Sequence, residues 1–317
     1  MSDAYLYQIV FENRVYKSSG TEFQSLFGHV MRATYSGFRE VSAPPYRGDG
    51  GNDGWIREKG AYYQVYAPDL QTVNPDVQAQ KKIVTDFEKL LTNWHETIPV
   101  RRFYFVFNRR FTAVSAELQK IVAQLKNKYN LEDADIIESR DILDLFNALD
   151  EDKKKSILHG CLPLVSEDFS EIVSPLSNLL WKLVPTSAEL MNFLDAEPPD
   201  FVEKIKFNKL SPYIQKRMEL CSHHIFRIDD ILKNNRGDAQ IIVNKLKKLY
   251  ESNRKSIPPD AENAPDVCYV GIVESIIPNE AKHPDTYLSY SLAAEVIIAK
   301  YFESCDIYES PRSTVSA

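Results

Sequence analysis

Tyr46–Pro68 reads YRGDGGNDGWIREKGAYYQVYAP and holds the densest cluster of unusual residue choices in the chain. Gly48, Gly50, Gly51 and Gly54 interleave with Asp49, Asn52 and Asp53. Glycine takes positive φ without steric cost, so this backbone can turn sharply and bring carboxylates close together. Trp55 and Ile56 follow, then a polar tip from Arg57 to Gly60, then a run from Ala61 to Ala67 rich in aromatic and β-branched residues and closed by Pro68. The pattern predicts a strand ending near Asp53, a hairpin turn around Lys59 and Gly60, and a returning strand that stops at the proline. Its two-residue period puts Tyr62, Gln64 and Tyr66 on one face and Tyr63, Val65 and Ala67 on the other. Asp53 and Gln64 are therefore expected to meet.

Two oxygen-bearing side chains converging from adjacent strands suit Mg2+, a hard cation that takes oxygen ligands and keeps several waters. The commonest setting of Gly-Asp-Gly is a plain surface turn, so spacing alone leaves both readings open.

GDGGND, followed eleven residues after Asp53 by a glutamine in an aromatic strand, resembles the core of the Mrr-type restriction endonucleases, a branch of the PD-(D/E)xK nuclease superfamily. In that family an aspartate ends a glycine-rich turn, and Gln-x-Lys or Glu-x-Lys follows on the next strand. The resemblance implies that Asp53, Gln64 and the backbone carbonyl of Val65 bind Mg2+, or Mn2+ in its place, with Asp49 assisting. Tyr66 stands where the family has its lysine. Tyrosine brings no positive charge to the developing phosphorane.

The family's first helix supplies a further acid to the metal. Residues 20–35 carry apolar residues at Phe23, Leu26, Phe27, Val30 and Met31, the spacing of an amphipathic helix, which makes Glu22 the candidate. An acid there is equally a first-turn residue favoured by the helix dipole. A second helix is predicted over Val77–Trp94. At about 100° per residue, Lys81 lies at the edge of its apolar stripe and Lys82 points away. Some members of the superfamily carry the catalytic lysine on this helix, so Lys81 is the first candidate for the missing cation and Lys82 the second. Both are also ordinary solvated positions.

RRFYFVFNRR, residues 101–110, predicts a strand buried on both faces, with arginine pairs at its ends available to DNA phosphates or to water. Helices are expected over 115–129 and 141–149, with a short strand at 134–138 between them.

Composition bounds the rest. With 317 residues, 44% hydrophobic and 26% charged, the chain is long enough for two domains. We expect an α/β restriction endonuclease-like domain over residues 1–155, a mixed sheet flanked by helices. A mainly α-helical interaction or oligomerisation domain is expected over 156–317, with the break at DEDKKK. Lys and Arg number 21 against 22 Asp and Glu in residues 1–155, and 17 against 23 beyond, so the acid excess belongs to the second part. A near-neutral first part would hold phosphate backbones weakly by itself, which points to self-association or a partner. The four cysteines are isolated and read as reduced core thiols. No stretch reaches about 18 uncharged apolar residues, so no membrane span is expected and the chain is expected to be cytoplasmic. Helices are expected at 175–181, 188–194, 212–220, 239–253 and 286–302, with Pro258, Pro259 and Pro265 in a loop. His223 and His224 would diverge on a helix and not chelate one metal.

YSLAAEVIIAKYFESCDIYESP, residues 290–311, resembles the C-terminal signature of the small component of ABC-three-component prokaryotic defence systems, a group related to Lamassu. GDGGNDGW and YYQVYAP, tyrosine included, resemble that family's own version of the nuclease core. The resemblance implies a Mg2+-dependent DNA endonuclease effector. Its partners would be a structural-maintenance-of-chromosomes-like ABC ATPase, an accessory defence subunit and further copies of itself. The alternative is a nuclease fold that has lost catalysis with its lysine and serves as a DNA-binding or docking subunit.

Overall fold

The tyrosine-rich run after Gly60 and the aromatic run after Arg101 become neighbouring strands of one sheet. In the computed structural model, residues 3–41, 50–158, 173–183, 201–232, 236–303 and 307–309 are described. The chain divides into two compact units, Arg14–Ile157 on one hand and Met1–Asn13 with Leu158–Ala317 on the other. Helix α1 (Asp3–Lys17) supplies residues to both.

The Arg14–Ile157 unit is built on a five-stranded mixed sheet in sequence order: β1 (Phe38–Glu40), β2 (Gly54–Ile56), β3 (Ala61–Tyr66), β4 (Arg102–Phe107) and β5 (Asp133–Glu138). The first three strands pair antiparallel; β3, β4 and β5 run parallel, joined through α3 (Pro75–Trp94) and α4 (Ala116–Lys128). Tyr62, Gln64 and Tyr66 register with Phe103, Phe105 and Phe107, and parallel partners share a face. On that face α3 and α4 pack through Ile83, Phe87, Leu90, Leu118 and Val122. On the other, Tyr63 stacks on Tyr104 at 5.2 Å and meets Phe27 of α2 (Gly20–Thr34) at 5.9 Å. Helix α2 packs in turn with α5 (Ser139–Asn147) and α6 (Glu151–Ile157).

The expected strand ending at Asp53 is corrected: β2 begins just after Asp53, at Gly54. Its turn is a 3-10 helix, Arg57–Lys59, closed by Gly60 in the left-handed region at φ 55°. The Gly60 N–H bonds to Arg57 O, and a Cβ here would come within 2.8 Å of Pro99 O, so the turn requires glycine.

Asn108 pins the far end of β3 and β4. Its backbone N–H donates to Tyr66 O, its side-chain amide donates to Val15 O and Ser18 O, and its Oδ1 accepts from Ser139 and from the Arg110 N–H. Arg110 turns inward, donating to Tyr16 O at 3.0 Å and Pro68 O at 2.6 Å. Arg109 pairs with Asp76 at 3.0 Å, and Arg102 with Glu132 at 3.1 Å. The arginine pairs are thus engaged within the unit.

The other unit is helical: α7 (Val173–Leu183), α8 (Phe201–Phe207), α9 (Pro212–Ser222), α10 (Phe226–Leu232), α11 (Arg236–Ser256), α12 (Ala264–Ile276) and α13 (Pro284–Glu303). The helix expected at 188–194 lies outside the described residues. Pro265, expected in a loop, occupies the first turn of α12, where its missing N–H would have no helical partner. No helix of the described residues is long and apolar enough to cross a membrane.

At the heart of this unit Arg217 of α9 makes a bidentate contact with Glu295 of α13, Nε to Oε2 at 2.9 Å and Nη2 to Oε1 at 2.5 Å. Tyr269 of α12 donates its hydroxyl to Glu295 Oε2 at 2.9 Å. Arg217 and Glu295 are each about 1% exposed or less. Burial alone would lower the arginine pKa, and the adjacent Glu295 carboxylate outweighs it and raises it. Burial and Glu295 together also keep the Tyr269 phenol protonated. In the same unit, buried Lys204 of α8 donates to Phe302 O at the end of α13 and to Ile307 O beyond it, both at 2.7 Å. An exposed pair such as Lys155–Glu151 contributes under about 1 kcal/mol. Removing one partner of a buried pair costs roughly 3–5 kcal/mol, because the other charge is stranded. Glu295→Ala is therefore expected to destabilise this unit by that amount in urea unfolding, and Arg217→Met with Glu295→Leu to recover most of the loss.

Candidate metal site at the β2–β3 fork

Gly50 and Gly51 enter the site with φ of 66° and 83°. A Cβ on Gly51 would lie 2.2 Å from Asp86 O and 3.0 Å from Leu90 N, so the loop rests directly on the α3 backbone. Beyond it Asn52 Oδ1 accepts from the Gly54 N–H at 3.1 Å. The Asp53 N–H donates to Tyr63 O at 2.9 Å, and Asp53 O accepts from the Val41 N–H at 3.0 Å. Asp53 is thus fixed between β1 and β3 before its side chain is considered.

The β2–β3 register ends with Gly54 opposite Tyr63, and the Asp53 N–H to Tyr63 O keeps Asp53 at the edge of β3 just past that pair. Asp53 Oδ2 accepts from the Val65 N–H at 2.7 Å, where β2 has left the edge of β3. In an extended strand a residue's N–H and C=O point the same way. The Val65 carbonyl therefore lies on the edge that carries the Asp53 carboxylate. Asp53 is 6% exposed and Gln64 2%. Gln64 Oε1 and Asn52 Nδ2 are both buried with no hydrogen-bond partner. A buried amide oxygen left without a donor costs on the order of 1–3 kcal/mol, and a cation would satisfy it.

Helix α3 covers this face. The Tyr62 hydroxyl donates to Ile98 O at 2.9 Å and its ring meets Trp94 at 6.0 Å. The Tyr66 hydroxyl donates to Gln78 Oε1 at 3.0 Å. The helix therefore runs against β3 with its C-terminal end at Tyr62 and its N-terminal end at Tyr66, and Gln64 falls between. Lys82 Nζ lies 6.0 Å from the Tyr66 ring centroid and 2.5 Å from Asp86 Oδ2. Lys89 Nζ reaches Asp86 Oδ1 at 3.1 Å. Burial, and then Asp69, push the Tyr66 pKa up, so its phenol stays protonated and offers no base.

The other sequence candidates separate. Lys81 is exposed, while Lys82 is half-buried against Tyr66. Glu22 is exposed in the first turn of α2, a helix whose buried Phe27 meets the Tyr63 face, opposite to Gln64. Asp49 lies outside the described residues. Among the described residues no three or more His, Cys, Asp or Glu side chains gather where they could hold a metal ion. The donors that fit a cation are a carboxylate, an amide oxygen and a backbone carbonyl. All are hard oxygen ligands, few enough to leave places for water and a phosphate oxygen as Mg2+ requires. Asp86 escaped the sequence reading. Its signal was a carboxylate 4% exposed at i+4 from Lys82 and i−3 from Lys89, inside the stripe of Ile83, Phe87 and Leu90.

The loop seat is testable through Gly51. Gly51→Ala places a Cβ where the α3 backbone already stands, at a φ that costs an L-residue about 1–3 kcal/mol. A lowered Tm in thermal unfolding is expected, whereas Gly20→Ala, with nothing within 4 Å of its Cβ, should shift it less.

No curated protein and no solved structure matches the chain. Residues 174–309 match the family model of C-terminal domain 10 of the ABC-three component (ABC-3C) systems.

Proposed function

We propose that the chain is a metal-dependent DNA endonuclease subunit of an ABC-three-component defence system, with its site at the β2–β3 fork. The observation that carries this reading is the buried Asp53 carboxylate held on the Val65 N–H, next in the chain to buried Gln64, whose Oε1 is left without a partner. Asp53, Gln64 and the Val65 carbonyl would hold Mg2+ or Mn2+. When bound, the metal supplies a Lewis acid to a phosphate oxygen and a more acidic water. The chain's own part is positional. The Val65 N–H fixes one Asp53 oxygen, α3 closes the face over Gln64, and Lys82 brings a positive charge beside Tyr66. Hydrolysis joins a water oxygen to phosphorus and breaks the bond from phosphorus to the leaving sugar oxygen, which takes up a proton. Lys82 is favoured over Lys81 as the cation because it alone of the two lies against Tyr66.

The arginines at the ends of the β4 run are engaged within the protein. Arg102, Arg109 and Arg110 are committed to Glu132, Asp76 and backbone carbonyls. A near-neutral unit of this kind relies on partner subunits or further copies to hold DNA. The same observation favours the second reading, a subunit that docks on DNA or on its partners without cutting.

Plasmid cleavage with Mg2+ or Mn2+, by the purified chain and by the assembled complex, separates the two. Cutting is expected to vanish with Asp53→Ala and with Lys82→Met and to survive Lys81→Ala. Intact plasmid under every assembly would rule out the nuclease and leave docking.

A further inference from the structure

We propose that Asp86 is a positioning residue that holds the Lys82 ammonium over Tyr66, so that α3 supplies the positive charge that β3 lacks. The inference rests on the nuclease reading and identifies what places its cation.

A lysine and an aspartate four apart on an exposed helix form a pair worth only about 0.3–0.5 kcal/mol. Asp86 is not such a residue. It is 4% exposed, and its two oxygens carry separate ammonium groups, Lys82 on Oδ2 at 2.5 Å and Lys89 on Oδ1 at 3.1 Å. One lysine is enough to neutralise a buried carboxylate; the second leaves the group of three with net positive charge. The two lysines are not equivalent. Lys89 has a side chain 56% exposed and faces solvent, whereas Lys82 is 34% exposed and lies at 6.0 Å over the face of Tyr66. An aromatic face attracts a cation by its quadrupole, so Tyr66 and Asp86 both attract the same ammonium.

The placement suits the chemistry. Asp86 O lies against Gly51, two residues before Asp53. Gln78, one helical turn before Lys82, receives the Tyr66 hydroxyl. Lys82 therefore stands beside the strand position that carries lysine in the nucleases resembled by this sequence. With Lys89 still on Oδ1, Lys82 can lean toward a phosphate without leaving Asp86 unpaired.

The test begins with a readout independent of cutting. Amine labelling of the full chain, followed by mass spectrometry, is expected to modify Lys82 more slowly than Lys81. Asp86→Asn should raise Lys82 labelling to within about twofold of Lys81 while leaving Lys81 unchanged, with the circular dichroism spectrum unaltered. Unchanged Lys82 labelling in a folded Asp86→Asn chain overturns the proposal. In the assembled complex Asp86→Asn should lower kcat by about ten- to a hundredfold, the usual cost of losing a group that orients a catalytic one, with KM within about twofold. Labelling that rises while kcat stays fixed also overturns it. If Asp86→Asn does not fold, Tyr66→Lys in a Lys82→Met background decides. Restored cutting supports a helix-borne charge acting beside residue 66, and no restoration overturns it. A wild-type complex that never cuts, with labelling as expected, removes the nuclease reading and with it the catalytic role, and leaves only the tether.

Discussion

A carboxylate buried at the edge of a sheet has to find donors there, and at Asp53 the donor is the backbone itself. Its Oδ2 takes the Val65 N–H, which β2 would have bonded had it continued as a strand. That one hydrogen bond does two jobs. It satisfies an amide that the departing strand leaves open, and it fixes the carboxylate beside Gln64 and the Val65 carbonyl. Both backbone bonds of Asp53, to Tyr63 O and from Val41 N, hold it in that place. The glycines before it are needed because the approach runs along the α3 backbone, with no room for a side chain at Gly51.

Sequence reading succeeded where periodicity speaks for a single face. The stripes that predicted α2, α3 and α4 are the buried residues Phe23, Phe27, Ile83, Phe87, Leu118 and Val122. It failed where a helix is buried nearly all round. Helix α12 hides Val267, Cys268, Tyr269, Val270, Gly271, Ile272 and Val273 in succession, which leaves no stripe to detect. Helix α1 buries Leu6, Tyr7, Ile9, Val10, Phe11 and Val15 and went unseen for the same reason. The return of β3 after the turn at Gly60 was legible because the aromatic run and the closing proline mark it. The contact of Lys82 with Asp86 was not, because it depends on a buried charge that burial statistics place on a surface.

The helical unit shows the same logic at greater depth. The stretch YSLAAEVIIAKYF is mostly apolar, and its buried Glu295 gathers Arg217 and Tyr269 from two other helices. A hydrophobic stripe alone would let α13 slide or rotate. A bidentate guanidinium admits one register, so the buried charges specify which helices meet and where.

The division of the chain also dictates an order of events during synthesis. Residues 14–157 form a contiguous stretch, so that unit has all its parts once Ile157 has been made. The other unit waits far longer. Tyr5 bonds to Asp266 and Asn13 to Glu274, each across 261 residues, and Lys204 takes carbonyls as late as Ile307. Long-range closure of this kind is slow, and domains emerging from the ribosome fold first from the N-terminal side. The sheet and its Asp53 site are therefore assembled while the helical unit is still an open chain. For a time after translation begins, each copy carries a complete sheet unit and an incomplete helical one.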